Sequence, residues 1–233
     1  MMAPIQGIIF DKDGTLFSFA DTWVNWALDL LDALSNGDQS LRQSLADAID
    51  FDLVHSQFRP TSVVIAGTVD EIADVIHDVS GLAKPDIKRI ADEIAATTRQ
   101  VKAPGLESSL TDLAKSCALG VMTNDSEVPA KAHLASVGIE GFFDFVAGYD
   151  SGYGAKPSPE PLLAFCKVSG LSPAVTLMVG DSRHDLIAGR AAGMRTVGVL
   201  TGVATEAELQ ELADVVLPDI SFLPAWVDAQ TPA

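Results

Sequence analysis

The stretch Ile5-Gln6-Gly7-Ile8-Ile9-Phe10-Asp11-Lys12-Asp13-Gly14-Thr15 decides how the chain is read. A short apolar run that ends in carboxylates and a glycine suits a strand buried on both faces, with polar chemistry at its carboxyl end. Side-chain alternation turns Asp11 and Asp13 to one side and Lys12 to the other, and Gly14 permits a sharp exit from the strand. Asp-Gly is also common in plain turns. The rest of the chain must therefore say whether the pair is a site.

Equivalent apolar runs recur at 118–122, 145–147, 176–179, 196–199 and 215–217. Between the later ones lie helical patterns over Val128 to Val137, Pro161 to Val168 and Leu186 to Ala192, each followed by a stopping glycine, Gly138, Gly170 or Gly193. Strands alternating with helices predict an α/β fold, a doubly wound parallel sheet of Rossmann-like form. From about Ser18 to Arg99 the rhythm changes. Apolar residues at helical spacing (Trp23, Ala27, Leu30, Leu31, Leu34, then three further sets) predict four amphipathic helices, with no strand signal beyond Val63 to Ala66. Residues 18–99 are thus expected to form a helical cap domain inserted into a core of residues 1–17 and 100–233. Trp23 and Trp26 lie on an apolar helix face and read as core packing.

Composition narrows the function. Of 233 residues, 48% are hydrophobic and 20% charged, and no long uncharged apolar stretch is present, so a soluble globule is expected and a membrane span is not. Lys and Arg number 15 against 32 Asp and Glu, a formal charge of -17. Such a surface repels nucleic-acid phosphates and anionic lipid, which disfavours both as partners. Cys117 and Cys166 have neither metal-ligand spacing nor a disulfide framework, and the start from Met1 to Asp11 lacks a basic segment ahead of a long apolar one. A reducing, cytoplasmic location is the expectation.

A second acidic cluster, Gly180-Asp181-Ser182-Arg183-His184-Asp185, follows the run 176–179. Asp185 falls where a helix begins, and on its own fits either a first-turn carboxylate or a site residue. Ligands in open α/β sheets sit beyond the carboxyl ends of the strands where strand order reverses. If the two strands are neighbours there, Asp11, Asp13, Asp181 and Asp185 converge, and their repulsion calls for a cation. Oxygen-only ligands favour a hard ion such as Mg²⁺. Thr123 and Asn124, at the end of the run 118–122, offer a hydroxyl and backbone N–H groups to an anion. Lys156, in a loop fixed by Pro157 and Pro159, can neutralise one.

In this order and on these strand ends, the motifs resemble the haloacid dehalogenase superfamily, in its phosphatase branch with a helical cap. Asp11 to Thr15 is similar to the first motif, Thr123-Asn124 to the second, Lys156 to the third and Gly180 to Asp185 to the fourth. The stretch from Lys156 to Gly202 is especially similar to phosphoglycolate phosphatases. The resemblance implies a core sheet of order 3-2-1-4-5 and hydrolysis of a small phosphate ester through an aspartyl phosphate on Asp11. It also implies that Asp13 is general acid and then base, and that Mg²⁺ is bound by Asp11, the Asp13 carbonyl and Asp181 with support from Asp185. Thr123, Asn124 and Lys156 would hold phosphoryl oxygens. The loop His55 to Ser62 lies where caps of this family reach over the site, so Arg59 could read a substrate carboxylate, as in phosphoglycolate, or form a plain surface salt bridge. Two departures stand out. Leu16-Phe17-Ser18-Phe19 replaces the frequent Asp-Ser, and Lys12 replaces an apolar residue and reads as structural. Sugar-phosphate phosphatases and beta-phosphoglucomutase-like mutases share the motifs. A receiver-like phospho-switch shares the acidic strand ends, Thr and Lys, but needs neither Asp13-Gly14-Thr15 nor a large helical insert.

Overall fold

The computed structural model describes residues 4–230, so the first three residues of the Met1 to Asp11 stretch lie outside the described residues. The chain opens with β1 (Gly7–Phe10), then helices α1 (Phe19–Ser35) and α2 (Gln39–Ala48), a hairpin of β2 (Phe51–Asp52) and β3 (Gln57–Phe58), and helices α3 (Val69–Ser80) and α4 (Lys84–Thr97). It continues through α5 (Leu106–Leu113), β4 (Ala118–Met122), α6 (Glu127–Ser136), β5 (Phe145–Ala147), α7 (Glu160–Ser169) and β6 (Thr176–Gly180). The last elements are α8 (Arg183–Ala191), β7 (Arg195–Val199), α9 (Glu206–Gln210), β8 (Val215–Leu217) and α10 (Leu223–Ala229).

Six strands form one sheet in the order β5-β4-β1-β6-β7-β8, and every pairing is parallel. Counted along the chain, this is the expected 3-2-1-4-5 order with a sixth strand added at the β7 edge. All residues of β1 are buried, because helices cover both faces of the sheet. The chain runs outward from β1 through β4 and β5, then returns to the other side of β1 as β6. The order therefore reverses between β1 and β6, where Phe10 lies opposite Val179. That register sets Asp11 and the loop starting at Asp181 side by side at one end of the sheet.

Helices α1 to α4 form a second apolar cluster of their own. Along α1 the buried residues Phe19, Trp23, Trp26, Ala27, Leu30, Leu31 and Leu34 follow the helical repeat and meet Leu45, Ile72, Ile76, Ile87 and Ala91. Trp26 also donates its indole N–H to the Ala91 carbonyl at 3.1 Å. Deleting a buried tryptophan of this kind costs about 3–5 kcal/mol. At its start α3 carries a reciprocal Thr68–Glu71 capping box, and it ends at Gly81 in the left-handed region (φ 69°), each a feature that fixes a helix end.

Two local expectations change. The run Val63 to Ala66 forms a 3-10 turn over Val63–Ile65 instead of a strand, its start set by the Ser62 hydroxyl accepting from the Val64 N–H. The segment read as a loop, His55 to Ser62, instead contains part of the β2–β3 hairpin, held by an edge-to-face Phe51–Phe58 contact at 4.9 Å. Among the described residues no helix is long and apolar enough to cross a membrane.

Candidate active site

The carboxyl ends of β1, β4 and β6 surround a cavity under α1, α3 and α4. Asp11, Asp13, Thr123, Asn124, Lys156, Asp181 and Asp185 line its floor. Its roof is apolar, made of Phe19, Trp23, Trp26, Val64, Ile65 and Ile72 among others. One oxygen from each of Asp11, Asp181 and Asp185 lies within 4.8 Å of the others, and all three residues are buried.

Lys156 is the hub of this floor. Its Nζ donates to Asp11 Oδ1 at 2.5 Å and to the Met122 carbonyl at 2.9 Å, and it lies 2.7 Å from Asp185 Oδ1. Burial works to discharge it, but Asp11 and then Asp185 outweigh burial and hold the ammonium above the usual lysine range. Burial pushes the Asp11 carboxyl up to about 7, with Lys156 pulling it down and Asp185 and Asp13 pushing it up. Asp181 is held well above the usual carboxylate range, first by burial and then by Asp11 and Asp185. One ammonium does not offset three buried carboxylates.

Asp185 both caps a helix and faces the cavity floor. Its Oδ2 accepts from the Ser182 N–H at 3.0 Å and the Ser182 hydroxyl at 2.7 Å, capping α8, while Oδ1 faces Lys156. Asp181 is placed by glycines. A Cβ at Gly14, where φ is +87°, would stand 2.4 Å from Asp181 Oδ2, and one at Gly202 would stand 1.6 Å from it. The Thr201 hydroxyl donates to the Gly14 carbonyl at 2.6 Å, joining the two loops around that carboxylate. The role of Thr201 and Gly202 was not read from the sequence, although their place just past a strand end was a signal.

Three residues singled out from the sequence are engaged with other protein groups. The Asn124 amide is spent within the protein: Nδ2 donates to the carbonyls of Lys156 (2.9 Å) and Ala66 (2.8 Å), and Oδ1 accepts from the Lys156 N–H at 3.0 Å. It fixes the Lys156 loop and meets the cap, which leaves its side chain no free donor for a phosphoryl oxygen. Arg59 does not line the cavity. Its side chain is 52% exposed and pairs with Asp50 at 3.7 Å, because the β2–β3 hairpin carries it outward. Lys12 does turn away from the cavity, yet it is fully buried and pairs with Asp13 Oδ2 at 2.8 Å and Asp125 Oδ2 at 3.0 Å. Asp125 and His133, which complete that arrangement, were not singled out from the sequence.

A parallel sheet with clustered carboxylates and a lysine at its strand-order reversal, roofed by an inserted helical cap, defines a class of α/β protein. Residues 8–199 match the family model described as haloacid dehalogenase-like hydrolase, and the chain belongs to that family. It is 31% identical over 234 residues to a phosphoglycolate phosphatase of Neisseria meningitidis, covering 98% of this chain and 91% of the relative. It is 30% identical over 229 residues to the phosphoglycolate phosphatase of Escherichia coli, covering 94% and 88%. Among solved structures, a predicted phosphoglycolate phosphatase from Haemophilus somnus aligns with a TM-score of 0.71 at 22% identity, covering 97% of this chain and 99% of that one, which speaks to the fold.

Proposed function

We propose that this phosphatase is a Mg²⁺-dependent phosphomonoester hydrolase that acts on a small phosphorylated metabolite through an aspartyl phosphate on Asp11. The observation that carries the reading is the buried set Asp11, Asp181 and Asp185 around Lys156 at adjacent strand ends. The donors fit Mg²⁺: three hard carboxylate oxygens, in excess over the one ammonium beside them. Asp11 and Asp181, with the Asp13 carbonyl, would hold the ion, and Asp185, already engaged by Ser182 and Lys156, would support it. When bound, the ion supplies charge neutralisation at the phosphoryl group.

Asp11 attacks phosphorus, and Lys156 and Thr123 hold the phosphoryl oxygens. Asp13 gives a proton to the leaving oxygen and then takes one from the attacking water. The apolar roof excludes other water from the cavity. Phosphoglycolate is the leading single substrate, supported by the names of the relatives and not by Arg59. The two cysteines are free and buried, which fits a reducing, cytoplasmic setting. The test is phosphate release, with and without Mg²⁺, from phosphoglycolate, sugar phosphates and an uncharged alkyl phosphate. Absence of Mg²⁺-dependent release from every ester would reject the reading, and a bisphosphate requirement would point to a mutase.

Arg59→Ala is expected to change kcat/KM by less than about twofold on carboxylated and uncharged esters alike, since its side chain is exposed, paired with Asp50 and outside the cavity lining. A selective loss on carboxylated esters would return Arg59 to the site.

The crowded carboxylates also set a pH dependence. The folded-state value of Asp11, about 7, lies above its ordinary 3.8, so the folded protein binds a proton that the unfolded chain has released. The cost of the ionised cluster is full above about 7 and is relieved as pH falls, so metal-free protein should gain stability between about pH 8 and 6.5. Bound Mg²⁺ prefers the ionised carboxylates and should abolish that gain. Thermal melts in chelator and in Mg²⁺ at the two pH values check this. A lower melting temperature at pH 6.5 in chelator would contradict it.

A further inference from the structure

Lys12 is wholly buried, and the reaction just described makes no use of it. Its Nζ lies 2.8 Å from Asp13 Oδ2, 3.0 Å from Asp125 Oδ2 and 2.9 Å from His133 Nδ1. The ammonium hydrogen-bonds His133 and is ion-paired with the two carboxylates. The Trp23 ring lies 5.3 Å from the same nitrogen. His133 Nε2 is 2.5 Å from the Ala95 carbonyl on α4. A carbonyl only accepts, so Nε2 carries the proton and Nδ1 is the acceptor that Lys12 meets. Burial and then the Lys12 charge hold His133 down to about 4, so the ring is neutral.

Asp13 is thereby divided between two environments. Oδ2 is ion-paired with Lys12 at 2.8 Å, whereas Oδ1 is buried with no hydrogen-bond partner among the described residues on a residue that lines the cavity. We propose that Lys12 is a positioning residue for Asp13, locking one carboxylate oxygen so that protons pass only through the other, and that Asp125 and the His133–Ala95 link to the cap hold Lys12 in place. With Oδ2 engaged, a proton on Asp13 sits on Oδ1. As the bond from phosphorus to the leaving oxygen breaks, that proton moves to the leaving oxygen. In the second step water gives a proton to Oδ1 while its oxygen bonds phosphorus and the bond to Asp11 breaks. A flexible carboxylate would share the proton between both oxygens and lose alignment. This role rests on the phosphatase reading above.

The test compares wild type with Lys12→Met, which keeps the bulk and removes the charge. A second variant, Lys12→Met with Asp125→Asn, removes the carboxylate that the first leaves stranded in a buried site. Single-turnover phosphorylation and steady-state phosphate release are measured with an alkyl phosphate, whose leaving group needs a proton, and with dinitrophenyl phosphate, whose leaving group does not. In folded variants the alkyl ester should phosphorylate the enzyme about 10²-fold more slowly or worse, with KM within about threefold. Phosphorylation by the dinitrophenyl ester should fall less than about fivefold, and phosphoenzyme should accumulate because water attack still lacks an aligned base. Equal fractional loss on both esters, or no loss on either, would overturn the role. Wild-type turnover in the same series reports on the phosphatase reading separately.

Discussion

Asp11→Asn is expected to lower turnover by about 10⁴-fold or more while leaving the fold intact, since removing a nucleophile forfeits most of what the assembled site supplies. The substitution keeps the side-chain volume and removes the anionic oxygen. It also takes one charge out of a buried group of three carboxylates, and Lys156 retains Asp185 at 2.7 Å. Metal-free Asp11→Asn should therefore melt no lower than metal-free wild type. Two measurements check the claim: steady-state phosphate release, and acid-quenched trapping of a covalent phosphoenzyme, present in wild type and absent from the variant. Near wild-type turnover would remove Asp11 from the role of nucleophile.

The second large effect concerns the cation. Asp181→Asn should raise the Mg²⁺ concentration for half-maximal rate by more than about 100-fold, whereas Asp185→Asn should raise it within the 10- to 100-fold typical of an outer partner. The difference follows from what holds each carboxylate. Asp185 is committed to the α8 cap and to Lys156, while Asp181 sits between Gly14 and Gly202. Gly202→Ala should reproduce the Asp181→Asn phenotype without touching a ligand. Gly202 lies outside the left-handed region, so alanine fits its backbone, but the new methyl carbon would stand 1.6 Å from Asp181 Oδ2 and expel that carboxylate. Mg²⁺ titration of activity, with thermal melts as a control for folding, separates these outcomes. Equal Mg²⁺ dependence of Asp181→Asn, Asp185→Asn and wild type would show that the assignment is wrong.

Lys12 and Arg59 show how far a cation can be read from sequence. Alternation about Asp11 turns Lys12 out of the cavity, which is what the structure has, and its burial in ion pairs fits the structural reading. The groups it meets lie far along the chain, Asp125 and, 121 residues away, His133. Of the two alternatives for Arg59, the structure has the surface salt bridge, with Asp50. Aromatic packing of Phe58 on Phe51 and Phe19 fixes a hairpin and directs Arg59 to solvent. The Asn124 side chain, by contrast, is engaged by the Lys156 backbone and Ala66, a tie that no local pattern reveals.

The sequence by itself determined the strands of the parallel sheet, the helices of the cap and the residues that line the floor of the cavity. Buried strands and amphipathic helices write their period into neighbouring residues, and Asp11, Thr123, Lys156 and Asp181 follow directly from strand ends or their loops. Only the tertiary structure decided how the charges pair, which oxygen of Asp13 is left free and which glycines press on Asp181. Pairing in a buried site depends on distances of about 3 Å between groups from separate elements, and no local pattern in a chain encodes such distances.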